Sequence, residues 1–396
     1  MEKFIVLRDL SFNRPRRQGP FSGPMSMPRP EDMAAPAAPV IEVGEMKTSE
    51  AKALSRDPTV LGVTRSIPTK LVMPTGTATP SATTTAWGVT AVGAANSTAT
   101  GAGVKVAVLD TGIDASHPAF AGVNLDQHDF SGDGNGDVQG HGTHCAGTIF
   151  GRDVNGTRIG VARGVTDAMI GKVLGNTGSG DSAMIFQGIQ WAVNGGAKVI
   201  SMSLGFDFPG LVDMLINQQN WPADIATSAA LEGYRANLRM FDALMAQVRA
   251  SEAFSGGVVL VAASGNESRR EISPNHEVSV SIPAAAEGIV SVGALGQSTG
   301  GLTIANFSNT GPVLSGPGVA ITSAKKGGGL VDFNGTSMAT PHVAGCAALW
   351  WERMGALGIP ATAPNVVARL RATASTTTFA PGVDMDDRGA GIVQSP

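Results

Sequence analysis

"VKVAVLDTGIDASHP" covers residues 104–118. Its first seven residues form a nearly unbroken apolar run that ends on Asp110, and the chain then turns at Thr111 and Gly112. A run this short and apolar suits a strand of a parallel sheet with both faces covered. Comparable runs follow at 197–204 (AKVISMSL), 257–264 (GVVLVAAS) and 289–295 (IVSVGAL), separated by helical stretches. The alternation implies an α/β fold, a parallel β-sheet flanked by helices on both faces. In such sheets sites lie at the carboxyl ends of strands. Asp110, Ser203 and Asn266 stand at those ends.

The bulk numbers narrow the function class. Of 396 residues, 42% are apolar and 15% charged, a globular composition with a sizeable core. A net charge of −4 with mixed signs gives no footprint for nucleic acid or an anionic membrane. No stretch reaches the roughly 18 apolar residues of a membrane span. The opening "MEKFIVLRDL" lacks a signal-peptide apolar core, which favours the cytoplasm over secretion. Cys145 and Cys346 are too few for a disulfide framework and read as buried free thiols.

Two units are expected. Residues 1–80 form a small α+β domain. It has strands at 1–10 and 38–46, a short helix at 48–58 capped by Thr48 or Ser49, and extended chain at 59–74. The Pro- and Arg-rich segment 11–38 reads as a flexible insertion, and 75–85 as a linker. Residues 86–396 form the larger domain, with an insertion at about 206–256. Leu231, Tyr234, Leu238, Phe241, Met245 and Val248 recur there at helical spacing, whereas 206–222 reads as an irregular surface loop.

"NGTSMATPHVAG" (334–345) places Ser337 where a helix begins. A Ser hydroxyl is a poor nucleophile until a base takes its proton, and His is the usual base near neutral pH. His128 and His276 sit in polar loops, His117 precedes a Pro, and His342 packs on the turns after Ser337. In "QGHGTHCAG" (139–147), His141 follows a Gly-rich loop and is the better base; His144 lies a turn deeper and reads as structural. A base needs a buried acceptor on its other nitrogen. Asp110 fits, because a carboxylate at the end of an apolar strand is costly unless paired. Asn266, in "AASGNES" (262–268), could supply an oxyanion donor beside the Ser337 N–H.

The order Asp, His, Ser and the motifs at 107–118, 140–147, 172–181, 200–205, 262–267, 304–312 and 334–345 resemble the subtilisin-like serine proteases (subtilisin and proteinase K-like, peptidase S8) over about residues 87–396. The resemblance implies a serine endopeptidase in which Asp110 orients His141, His141 acts as base then acid, Ser337 attacks the scissile carbonyl and Asn266 holds the oxyanion. Gly178, Ser179, Gly180 and Ser203, Leu204, Gly205 would clamp a substrate backbone by strand addition. Ala263, Ser264 and Gly265 would line the pocket before the cut, for an uncharged, medium-to-large side chain. The N-terminal domain resembles the family's propeptide, a folding chaperone and intramolecular inhibitor. Self-cleavage is expected within 70–82. An alternative is a latent or narrow-specificity processing protease whose groove mainly binds one dedicated protein partner.

No cofactor is needed for such chemistry, and the partners are peptide or protein substrates of a monomer, with neither nucleic acid nor membrane. Calcium is a structural candidate. Asp129, Asp133, Asn135 and Asp137 crowd one loop, although Val138 and His144 rule out an EF-hand there and Ala119 stands where many subtilisins carry an Asp ligand.

Overall fold

The computed structural model describes residues 1–9, 40–72, 74, 77–78 and 83–396. The expected insertion at 11–38 and most of the linker at 75–85 lie outside the described residues. In chain order the N-terminal unit comprises β1 (Glu2–Arg8), β2 (Val40–Met46), α1 (Thr48–Leu54), β3 (Val60–Arg65), β4 (Pro68–Leu71) and β5 (Thr77–Ala78). The following region holds α2 (Trp87–Ala91), β6 (Val106–Asp110), β7 (Asn124–Asp129), α3 (His141–Phe150), β8 (Asp167–Lys172), β9 (Ser179–Asp181) and α4 (Ser182–Asn194). Then come β10 (Val199–Met202), β11 (Leu204–Phe206), α5 (Phe208–Asn217), α6 (Ala223–Ala250), α7 (Glu252–Ser255) and β12 (Val259–Ala263). The chain finishes with β13 (Val290–Ser298), β14 (Gly301–Ile304), β15 (Leu314–Pro317), β16 (Ile321–Ala324), β17 (Leu330–Phe333), α8 (Thr336–Ala356), α9 (Ala363–Thr373) and α10 (Met385–Arg388).

The central sheet runs β14-β13-β12-β10-β6-β8-β7, with β15 also on β13. Every pairing is parallel except β13 with β14. The four apolar runs become β6, β10, β12 and β13. They read as unbroken apolar runs because α3 and α8 cover one face and α4 and α6 the other. α8 passes through the core, with residues 336–351 all buried. No described helix is long and apolar enough to cross a membrane.

In the N-terminal unit β2-β1-β3 form an antiparallel sheet. The helix expected at 48–58 is there but shorter, and its cap is Lys47, whose N–H is met by Glu50 at 2.8 Å; Thr48 is already helical. The unit joins the large domain's core. Ile5, Leu7, Ile41, Ile67 and Leu71 pack in one apolar cluster with Phe186, Met240, Phe241 and Leu244.

The insertion differs from expectation in its first half. Residues 208–217 are helical (α5), started by Asp207, whose carboxylate accepts from the Gly210 N–H at 3.1 Å, and Leu211 and Leu215 are buried. The second half is the 28-residue α6. Its inward stripe is Asn237, Met240, Phe241, Leu244, Met245 and Val248, while Leu231 is 47% exposed. The stripe is set by what it covers: apolar residues of β10 and β12 in the sheet, and β3.

Phe241 is fully buried and stacks on Phe186 at 4.2 Å between centroids, with Phe206 edge-on at 5.9 Å. Phe241→Ala, made in a Ser337→Ala background, should lower unfolding free energy by about 3–5 kcal/mol, the usual cost of truncating a core Phe. Denaturant unfolding reads this directly; a loss below 1 kcal/mol would mean that α6 is not a core helix.

Candidate active site

β6 ends on Asp110 inside the core, and α3 begins at His141. Two glycines allow these elements to touch. A Cβ on Gly142 would lie 2.1 Å from the Gly112 carbonyl oxygen, and one on Gly112 would lie 2.2 Å from the Gly136 carbonyl oxygen. Gly112 also has φ +103°, a conformation glycine adopts without strain. The approach brings His141 Nδ1 to 2.8 Å from Asp110 Oδ1, which also accepts from the Thr111 N–H at 2.7 Å. Both side chains are buried. Burial alone would lower the His141 pKa, but the Asp110 charge and hydrogen bond outweigh it and hold the imidazole well above its usual 6.5. His141 Nε2 is buried and makes no hydrogen bond among the described residues.

Ser337 is the second residue of α8, in the turn whose N–H groups lack intrahelical partners. Its Oγ does not bond His141. It donates to the Val72 carbonyl oxygen at 2.9 Å and lies 3.3 Å from the Ser203 carbonyl oxygen. Val72 directly follows β4, which lies as the middle strand between β11 and β9. β4 pairs antiparallel with both: Leu71 opposite Leu204, Lys70 opposite Gly205 and Ser179, Thr69 opposite Phe206 and Gly180. The Leu71 N–H adds a bond to the Gly178 carbonyl at 2.9 Å. The residues expected to clamp a backbone therefore hold a backbone, and it belongs to this same chain.

The remaining expected residues surround that strand's end. Asn266 Oδ1 accepts from the Thr336 N–H at 2.9 Å and its hydroxyl at 2.8 Å, fixing the amide beside Ser337. Ala263 and Ser264 are buried, and Gly265 (φ +116°) approaches Asn309 so closely that a Cβ would lie 2.3 Å from its Nδ2. The Val72 side chain sits against Gly205, 3.4 Å from where a Cβ there would be.

Sequence reading missed two organising residues. Asn309 is fully buried; its Oδ1 accepts from the N–H groups of Glu267 and Ser268, and its Nδ2 donates to the Ser264 carbonyl. It sits in the 304–312 motif, whose spacing alone gives no hint of a hub. Asp137 was grouped with candidate calcium ligands, and the structure gives it another task. Its carboxylate accepts from the N–H groups of Gly140 and Thr143 and from the hydroxyls of Thr111 and Thr143, at 2.7–2.9 Å. It holds the start of α3, and with it His141.

The other acidic-loop residues do not form a cation cage either. Asp129 accepts from Ser131 and the Gly134 N–H, Asp133 accepts from the Asn176 N–H, and Asn135 is exposed. The cation in this loop is the buried Lys172 ammonium, donating to the Gly136 carbonyl at 2.9 Å and Asn176 Oδ1 at 2.8 Å. Among the described residues, the only three His, Cys, Asp or Glu side chains whose ligand atoms converge within 4.8 Å are Asp110, His141 and Cys145. Three of the four expected calcium ligands, Asp129, Asp133 and Asp137, are thus engaged by donors of the protein itself.

Cys145 lies 3.8 Å from His141 Nδ1, the nitrogen that already faces Asp110, and not on the Nε2 side. Burial pushes its thiol up. His144 is structural: stacked on Phe333, bonded to the Ile321 carbonyl and pushed down to about 3 by burial. His342 bonds the Met338 carbonyl at 2.8 Å and is lowered by burial to about 4. His128 lies on β7 against Phe130 and Trp191, not in the polar loop expected of it.

Residues 101–392 match the Subtilase family, Peptidase S8. The chain belongs to the subtilases. Similar proteins include a thermostable alkaline protease of Halalkalibacterium halodurans, 34% identical over 78% of this chain and 72% of that protein. Subtilisin DY of Bacillus licheniformis is 34% identical over 69% and 85%, and M-protease of Shouchella clausii 36% identical over 78% and 68%. As a subtilase the chain is a serine endopeptidase acting on peptide or protein chains, with chemistry that needs no cofactor.

A subtilase with two buried thiols makes a simple expectation. A disulfide-exchange reagent at pH 8 should label neither Cys145 nor Cys346 in the folded protein within the time that labels both after unfolding, because only thiolates react and burial opposes the thiolate. Rapid labelling of one cysteine in the folded chain would place a reactive thiolate in the cleft.

Proposed function

We propose that this subtilase acts through Asp110, His141 and Ser337, with an acyl-enzyme intermediate, and that it is made as a zymogen that cuts itself after Val72. One observation carries the reading: the Ser337 hydroxyl is 2.9 Å from the Val72 carbonyl oxygen, with the preceding strand clamped on both sides. In the reaction Ser337 Oγ bonds the Val72 carbonyl carbon and its proton moves to His141 Nε2, which has no competing partner among the described residues. The imidazolium then rests against Asp110 and passes the proton to the departing amine. The negative oxygen forms at the start of α8, where the helix dipole, the Ser337 N–H and the Asn266 amide favour it. Water then splits the ester by the same steps in reverse roles.

The expected cleavage window of 70–82 thereby narrows to the bond after Val72. The N-terminal unit acts as inhibitor on this reading, because its own strand fills the cleft. The same filled cleft also suits a latent protease whose groove holds one dedicated partner, and intact mass separates the two. Purified wild type should lose an N-terminal piece of about 7 kDa, in proportion to 40.2 kDa for 396 residues. Its new N-terminus should be Met73, and only wild type should take a fluorophosphonate label. Ser337→Ala should stay whole and unlabelled. Wild type that stays whole and unlabelled would sink the self-processing reading and favour latency.

Two kinetic expectations follow from the site. Asn266→Ala should lower turnover about 10²–10³-fold with little change in KM, the known scale for losing this kind of donor in subtilisin. His141 must be neutral to accept the proton, and Asp110 favours its charged form. Activity should therefore rise with pH, with an acidic limb centred above 6.5, the usual value from which His141 is raised. Asp110→Asn should move that limb toward acid while lowering the plateau; an unmoved limb would separate His141 from the titration.

A further inference from the structure

We propose that Asp207 selects a basic residue at the third position before the scissile bond, so that the preferred substrates carry Lys or Arg there, two residues ahead of a Val-sized side chain. The inference rests on the cleft reading above, in which Val72 precedes the cut and Lys70 occupies that third position. Lys70 Nζ donates to Asp207 Oδ1 at 2.8 Å. Lys70 sits opposite Gly205, so its side chain leaves the clamped strand next to the end of β11, where Asp207 follows Phe206.

The acid is the fixed partner. Asp207 caps α5 through the Gly210 N–H, and the fit is tight, since a Cβ on Gly210 would lie 2.2 Å from Asp207 Oδ2. Its own N–H reaches the Pro68 carbonyl, extending the β11–β4 ladder by one step. A carboxylate held this way by the catalytic domain waits for whichever side chain is presented at that place. The charge pattern repeats on the other clamp, where Asp181 at the end of β9 accepts from Lys3 at 2.7 Å. Both acids belong to the clamping segments and both bases to the N-terminal unit. Asp207 is also the second residue of the 206–222 segment, which gives that segment a part in selection and not only a place on the surface.

The pair is partly exposed, at 38% and 28% for the two side chains. Its effect should be modest and sensitive to salt. The test uses self-matured enzyme and peptides copying residues 66–76, with Lys, Gln or Glu at the position of Lys70. The readout is the ratio of kcat/KM values within each enzyme, so a change in overall activity cancels. Wild type should prefer Lys over Glu by about 2–5-fold at low ionic strength, the scale of an exposed ion pair, and lose most of that preference in 1 M salt. Asp207→Asn keeps a good helix cap and removes the charge, so its ratio should fall toward one. Asp207→Lys should invert it. If wild type cuts all three peptides after the Val at equal rates, the Asp207 assignment is wrong while the cleft reading stands. If no peptide is cut after that Val, the cleft reading fails and takes this proposal with it.

Discussion

A single buried charge organises this molecule. Asp110 ends a strand with no exposure to solvent, and an unpaired carboxylate there would be strongly destabilising. Its compensation comes from His141 and from the Thr111 N–H, so α3 must begin within contact of the β6 turn. That requirement explains the glycines at 112 and 142, whose side-chain hydrogens are all the space allows. It also explains Asp137, which ties the Thr111 hydroxyl to the α3 N-terminus and so fixes both halves of the pair through one carboxylate. The imidazole is left with one nitrogen anchored and one facing the cleft.

The N-terminal unit is built onto this frame through backbone and core together. β4 contributes main-chain bonds on both edges, and Ile67 and Leu71 add apolar contact with the large domain. α6 extends the contact. Asn237, fully buried, donates to the Thr64 hydroxyl and the Arg65 carbonyl, and Met240 lies under Gly62. The long helix is therefore half an ordinary core element and half a seat for a neighbour. That explains why its apolar stripe is interrupted by an Asn and why a periodicity count placed Leu231 on the wrong side.

How much of this could be read beforehand depended on whether the physics was local. β6, β10, β12 and β13 were legible because burial on both faces leaves an apolar run that nothing else resembles. β7 was not, since it lies at the sheet edge as NLDQHD with alternating exposure. β8 was masked by a buried Lys172, whose charge is met by the carbonyl of Gly136 in a distant loop and by Asn176 four residues on. α5 was missed because only Leu211 and Leu215 are buried in a segment containing Pro and Gly. Motif order singled out Asp110, His141, Ser337 and Asn266, and the structure brings the first two into contact and sets Asn266 beside Ser337. Asp137 was grouped with cation ligands because an acidic cluster looks alike in sequence whether it binds a cation or caps a helix. The residue that meets Ser337 depends on strand register between β4 and its two neighbours, and register is a long-range property no short motif records.

β9 and β11 are each only three residues long. When β4 is not between them they are two facing sheet edges, and open edges invite uncontrolled pairing in proportion to their length. Three residues offer too short a template for one chain to add to another in extended register, so the cleft carries little aggregation hazard. The same shortness limits how firmly any peptide is held by its main chain alone. Residence in the cleft is then governed by side chains at a few positions, and a strand cut after Val72 would keep only those few bonds against its release.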